Sequence, residues 1–221
     1  MVLSTQEKEV IQKAIEDMDF WNTFYARLTE GYDVAEDNIR RVNGVTGEER
    51  QRAYRLQFIV NHYWSQVEMM FDSPEVVFCA QIAVEYNSSF NSTLIMQYGT
   101  YHIEDLGQVE TGLELVKQSA NLLNASANFN LGLYYSNGER VPQDVPKAFE
   151  LFCLAGNLAA TNGDNEVYLN SHYNAALALC RGEGNLPVDL NRAKDLLTPL
   201  VEEFNDKDCR RVIQQINQAI G

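Results

Sequence analysis

One stretch of this chain is a diverged copy of another, and that constrains the fold more than any other feature. Between residues 127 and 156 stand Ala127, Leu131, Gly132, Tyr135, Gly138, Val141, Asp144, Lys147, Ala148, Leu151 and Phe152. A shift of 44 places Ala175, Ala176, Leu179 and Gly182 on Leu131, Gly132, Tyr135 and Gly138. After one extra residue, a shift of 45 places Leu186, Asp189, Arg192, Ala193, Leu196 and Leu197 on Val141, Asp144, Lys147, Ala148, Leu151 and Phe152. A weaker echo lies 36 residues upstream, where Ile95, Gly112, Leu115, Val116 and Ala120 match Leu131, Ala148, Leu151, Phe152 and Gly156.

Each repeated position has a physical task. Gly132 and Ala176 are small, so a neighbouring helix can approach. Gly138 and Gly182 can take positive φ where the first helix of a pair ends. Asp144 and Asp189 stand where a side-chain oxygen caps the second helix. Ala148 and Ala193 are small packing positions facing the first helix. The pattern predicts stacked antiparallel helix pairs, each burying the next pair's apolar face.

The segment 127–156 resembles the Sel-one-like repeat, a variant of the tetratricopeptide α/α repeat, whose pattern runs A-x3-L-G-x2-Y-x2-G-x-G-V-x2-D-x2-K-A. Arg140 replaces the usual second glycine, and Arg192 replaces the lysine in the second copy. The segment around Thr161–Asn165 is longer than the family norm, which predicts an enlarged loop or an extended helix. The resemblance implies an all-α, right-handed helical-repeat solenoid over residues 91–221, with its best copies at 127–170 and 171–208. Residues 1–90 read as an N-terminal helical extension. There, capping boxes at Ser4/Glu7 and Thr46/Glu49 precede apolar stripes of helical period, and Val76 to Val84 reads as a buried central helix.

The composition suits a soluble globular chain. Of 221 residues, 45% are hydrophobic and 22% charged. Thirty-one acids against 17 Lys and Arg give a net charge of -14, which argues against nucleic acid or anionic membrane as partner and allows a basic protein. No run reaches the ~20 apolar residues of a membrane span, and Met1 to Val10 lacks a signal-peptide core, so the chain reads as cytoplasmic. The four cysteines are widely spaced and read as reduced thiols.

No nucleophile elbow, P-loop, Rossmann glycine cluster or H-E-x-x-H appears, so no catalytic residue, metal ligand or cofactor is assigned. His62, or His102 with Glu104 and Asp105, is the weakest of the readings, an enzyme or half of a metal site.

Two surfaces read as candidates for binding a protein. Between Leu56 and Val116 there is no Lys or Arg, while Glu68, Asp72, Glu75, Glu85, Glu104, Asp105, Glu110 and Glu114 all fall there, an acidic face for a basic partner. The family resemblance implies a groove lined by the first helix of each pair. Carried residue by residue, it comprises Phe129, Leu133, Ser136 and Asn137, then Tyr173, Leu177, Cys180 and Arg181, and more faintly Thr93, Gln97, Thr100 and Tyr101. The resemblance implies adaptors, scaffolds and, in bacteria, toxin-neutralising immunity proteins.

Overall fold

The computed structural model describes residues 92–220, together with Val77, Ala80, Gln81, Ala83 and Val84. Contacts divide the chain into two units, Met1–Tyr86 and Asn87–Gly221. Of the first unit, Val77, Ala80, Gln81, Ala83 and Val84 are helical, with Ala80 and Ala83 buried. The capping boxes at Ser4 and Thr46 and the stripes that follow them lie outside the described residues.

The second unit is a run of seven helices among the described residues: α1 (Ser92–Glu104), α2 (Val109–Asn121), α3 (Ala125–Asn137), α4 (Val145–Asn162), α5 (Asn165–Arg181), α6 (Leu190–Phe204) and α7 (Lys207–Ile220). Each helix packs on the next, and the first helices of successive pairs also touch, α1 on α3 and α3 on α5. This is the stacked-pair arrangement of an α/α repeat solenoid.

The turns inside the pairs follow the repeat. Gly138 and Gly182 end α3 and α5 at φ 72° and 65°, conformations that a side chain would oppose. Asp144 and Asp189 accept from the amides of Lys147 and Arg192 at 3.0 and 2.9 Å, capping α4 and α6. The same aspartates donate their own amides to Tyr135 O and Leu179 O, at 2.9 and 3.1 Å. The extra residue of the second copy is absorbed by a 3-10 turn at Glu183–Asn185.

The turns between pairs obey a second rule. Leu123, Gly163 and Asn205 each take positive φ, at 61°, 73° and 54°. The next residue in each case, Asn124, Asp164 or Asp206, caps the following helix by accepting from Ala127, Val167 or Cys209 at 2.8, 3.1 and 2.8 Å. Thus α7 begins as the first helix of a further pair would. It buries Cys209, Val212 and Ile216, and turns Arg210, Arg211, Gln214 and Gln215 outward.

Close approach depends on missing side chains. A Cβ at Gly132 would lie 2.6 Å from the Phe152 ring. In the preceding pair, a Cβ at Gly99 would lie 2.9 Å from Val116, and one at Gly112 would lie 2.5 Å from Gly99 O. The weak upstream echo is therefore corrected. Gly112 and Val116 stand 36 residues before Ala148 and Phe152, but Gly99 stands 33 before Gly132. The turn between α1 and α2 is three residues shorter than that between α3 and α4, so the register of the first helix moves and Tyr98, not Ile95, matches Leu131.

The long Thr161–Asn165 segment is mostly helix. It adds turns to α4 and α5, which span 18 and 17 residues against 13 in α3.

Candidate functional site

The contacts α1 on α3 and α3 on α5 make the first helices a continuous face. Phe129, Leu133, Tyr173 and Leu177 are half-buried on it and pack against the core cluster around Phe152, Leu179 and Leu197. The Phe129 ring lies 5.8 Å from that of Phe152. These residues therefore have a structural task and still leave part of their apolar surface open. Asn137 and Arg181 are exposed at the C-terminal ends of α3 and α5. Tyr101 is half-buried on α1, with its ring 6.2 Å from that of His102. In the corrected register it matches Tyr134, and Glu104 takes the place of Asn137.

Amides border these apolar groups, and several spend their donors internally. Asn130 donates to Met96 Sδ at 3.4 Å, Asn174 to Asn170 O at 2.8 Å, and Gln143 to Ser136 O at 2.8 Å.

Of the predicted acidic face, Glu68, Asp72, Glu75 and Glu85 lie outside the described residues. Glu104 and Asp105 are exposed at the end of α1. Glu104 accepts from Arg140 Nη2 at 2.6 Å. The Arg140 guanidinium also lies 5.0 Å from the centre of the Tyr134 ring and 3.7 Å from Glu139. Burial raises the Tyr134 phenol above its ordinary value, and the cation beside it pulls the other way. Sequence reasoning saw Arg140 only as a departure from the repeat. Its signal was there, because the second copy of this chain has Gly184 at the matching position.

Among the described residues the histidines offer no paired chemistry. His62 lies outside the described residues. The His102 ring is buried edge-on to Tyr98 at 4.5 Å, and its Nδ1 hydrogen-bonds Gln108 Oε1 at 2.9 Å. Its Nε2 has no hydrogen-bond partner, so the expected link to Glu104 and Asp105 is not formed. The ring turns inward and takes Gln108, while the Glu104 carboxylate is engaged by Arg140 and Asp105 is exposed. His172 Nδ1 lies 2.9 Å from Tyr168 O, with the ring against Gly156. Among the described residues no group of three or more His, Cys, Asp and Glu could hold a metal ion.

Cys153, Cys180 and Cys209 carry free thiols, and Cys79 lies outside the described residues. Burial, then the neighbouring Asp206 carboxylate, pushes the Cys209 thiol up to about 12. Burial also raises Cys153 and Cys180. None of the three is an activated nucleophile. No helix among the described residues is long and apolar enough to cross a membrane.

Comparison with known families agrees with this geometry. The sequence model of the Sel1 repeat matches residues 125–159 and 169–199, which cover the α3–α4 pair and most of α5–α6. No curated protein matches the chain at a significant level. The unmatched residues 160–168 between the two hits are the added turns of α4 and α5. Sel1 repeats form protein-interaction modules, and within these two segments the chain carries Sel1-like repeats.

Proposed function

We propose that this chain is a non-enzymatic binding module that holds another protein on the face made by α1, α3 and α5. One observation carries the reading. Phe129, Leu133, Tyr173 and Leu177 sit on adjoining first helices, packed from behind yet half-exposed in front. Aromatic and aliphatic groups held rigid by a core lose little entropy on binding and serve well as anchors. Asn137 and Arg181 supply a polar rim at one edge.

A second reading, an immunity-type inhibitor of a basic toxin, draws support from the net charge of -14. It would use exposed carboxylates, and association would be steered by charge. Both readings place the protein in the cytoplasm.

The test uses a partner purified with the chain from its native host, and measures association and dissociation rates against salt. Groove binding predicts that Phe129→Ala with Tyr173→Ala raises the dissociation rate. Asn137→Ala with Arg181→Ala, which touch no core, should do the same to a smaller degree. Binding that ignores both pairs, yet collapses between low and physiological salt, would replace the groove by the acidic surface.

A further inference from the structure

We propose that α1 and α2 form a hinged pair that opens from the body of α3–α7 at the edge where first helices turn into second helices, and that Arg140 is its latch. The apolar interior of the second unit is divided. One cluster joins Met96, Ile103, Leu113, Val116, Leu131 and Tyr134, from α1, α2 and α3. The other is centred on Phe152, Leu179, Leu197, Leu200, Val212 and Ile216, from α4 onward. Helix α3 serves both, with Leu131 and Tyr134 on one side and Phe129 and Leu133 on the other, and α4 reaches the first cluster through the half-buried Leu151. The seam therefore runs along α3.

The two edges of this seam are held differently. At the edge where pairs join, Asn124 Nδ2 donates to Ser92 Oγ at 3.2 Å and Thr93 Oγ1 at 3.0 Å. Beside it Asn128 Nδ2 of α3 donates to Ala120 O of α2 at 3.3 Å, while the buried Ser119 hydroxyl, donating to Ser92 O at 2.6 Å, ties α2 to α1 within the pair. These neutral, partly buried bonds make a pivot. At the opposite edge the tie is Arg140, which spans from the α3–α4 turn to Glu104 on α1 and covers Tyr134. The matching residue of the next pair is Gly184, which reaches no neighbour by charge and packs on Val145 and Pro146. The cation is thus specific to this seam. With Glu104 half-exposed, the bridge is weak enough to break and is screened by salt. Opening would change the spacing of α1 from α3, and so regulate the proposed binding face. That consequence rests on the groove reading, whereas the latch does not.

Hydrogen exchange on the full chain without any partner tests the latch alone. Arg140→Gly, the residue of the second copy, and Glu104→Gln, which leaves the turn intact, should each speed exchange of amides in 92–121 by about three- to five-fold. Salt of about 1 M should do the same to the wild type and nothing more to either variant. Amides in 165–204 should keep their rates. Unchanged exchange in 92–121, a response to Arg140→Gly without one to Glu104→Gln, or acceleration spread evenly over 92–220 would overturn the proposal. Partner binding plays no part in these outcomes, so failure of the groove reading would be seen separately.

Discussion

Ser171 is fully buried, and its hydroxyl has no hydrogen-bond partner. The first copy has Ala127 at the matching position, also fully buried. An unpaired buried hydroxyl costs about 1–3 kcal/mol, and serine is also the poorer helix former. Ser171→Ala should therefore raise the urea midpoint, by roughly 1 kcal/mol in stability. A fall would mean that a water or a rotamer change satisfies the hydroxyl. Gly132 gives the opposite case. Its missing side chain lets the Phe152 ring come within 2.6 Å of where a Cβ would stand. Gly132→Leu should cost roughly 3 kcal/mol or more through overpacking. An unchanged midpoint would count against the alignment of the two copies. Gly132 could be read from the repeat, since a small residue recurs there as Ala176, whereas the burial of Ser171 showed only in the structure. The Arg140–Glu104 bridge could not be read from the repeat either, because its partners lie 36 positions apart on different pairs.

At the scale of helices, the ends proved more legible than the registers. Asp144, Asp189, Gly138 and Gly182 act through their own turn, so a local pattern foretells them. The α1 register depended on a turn three residues shorter, which only the packing of Gly99 on Val116 reveals. Helix α7 shows how a cap couples to pH. Hydrogen bonds, chiefly from the Cys209 amide, hold the Asp206 carboxyl below its ordinary value. A carboxyl lowered in the folded state adds stability that is present above the unfolded pKa, about 3.9, and is lost as pH falls through the folded value. The α7 amides should lose protection on acidification below about pH 4, ahead of those in α5. Asp206→Asn keeps a capping oxygen and should flatten this dependence, while Asp206→Ala should cost about 1 kcal/mol at neutral pH. An α7 that frays identically in wild type and Asp206→Asn would show that another group governs it.

For the whole molecule, the prediction that matters is which surface a partner uses. Raising ionic strength should slow association if carboxylates steer it, and leave dissociation to the apolar anchors Phe129 and Tyr173. Glu104 is a poor probe of steering, because Glu104→Lys would also break the bridge to Arg140. Asp105→Lys is the cleaner variant, being exposed and outside that bridge. It should lower the association rate at low salt without moving the melting temperature. A large melting shift would disqualify the comparison and point to a structural task for Asp105. The repeat, its small residues, its caps and hence the stacked-pair architecture were determined by the sequence alone, because each is a local or periodic demand of backbone and packing. The face shared by α1, α3 and α5, the burial of His102 away from Glu104, and the seam bridged by Arg140 were decided only by tertiary structure. These depend on which side chains from separate pairs meet, and that follows from helix register and turn length, which small insertions alter without disturbing the periodic pattern.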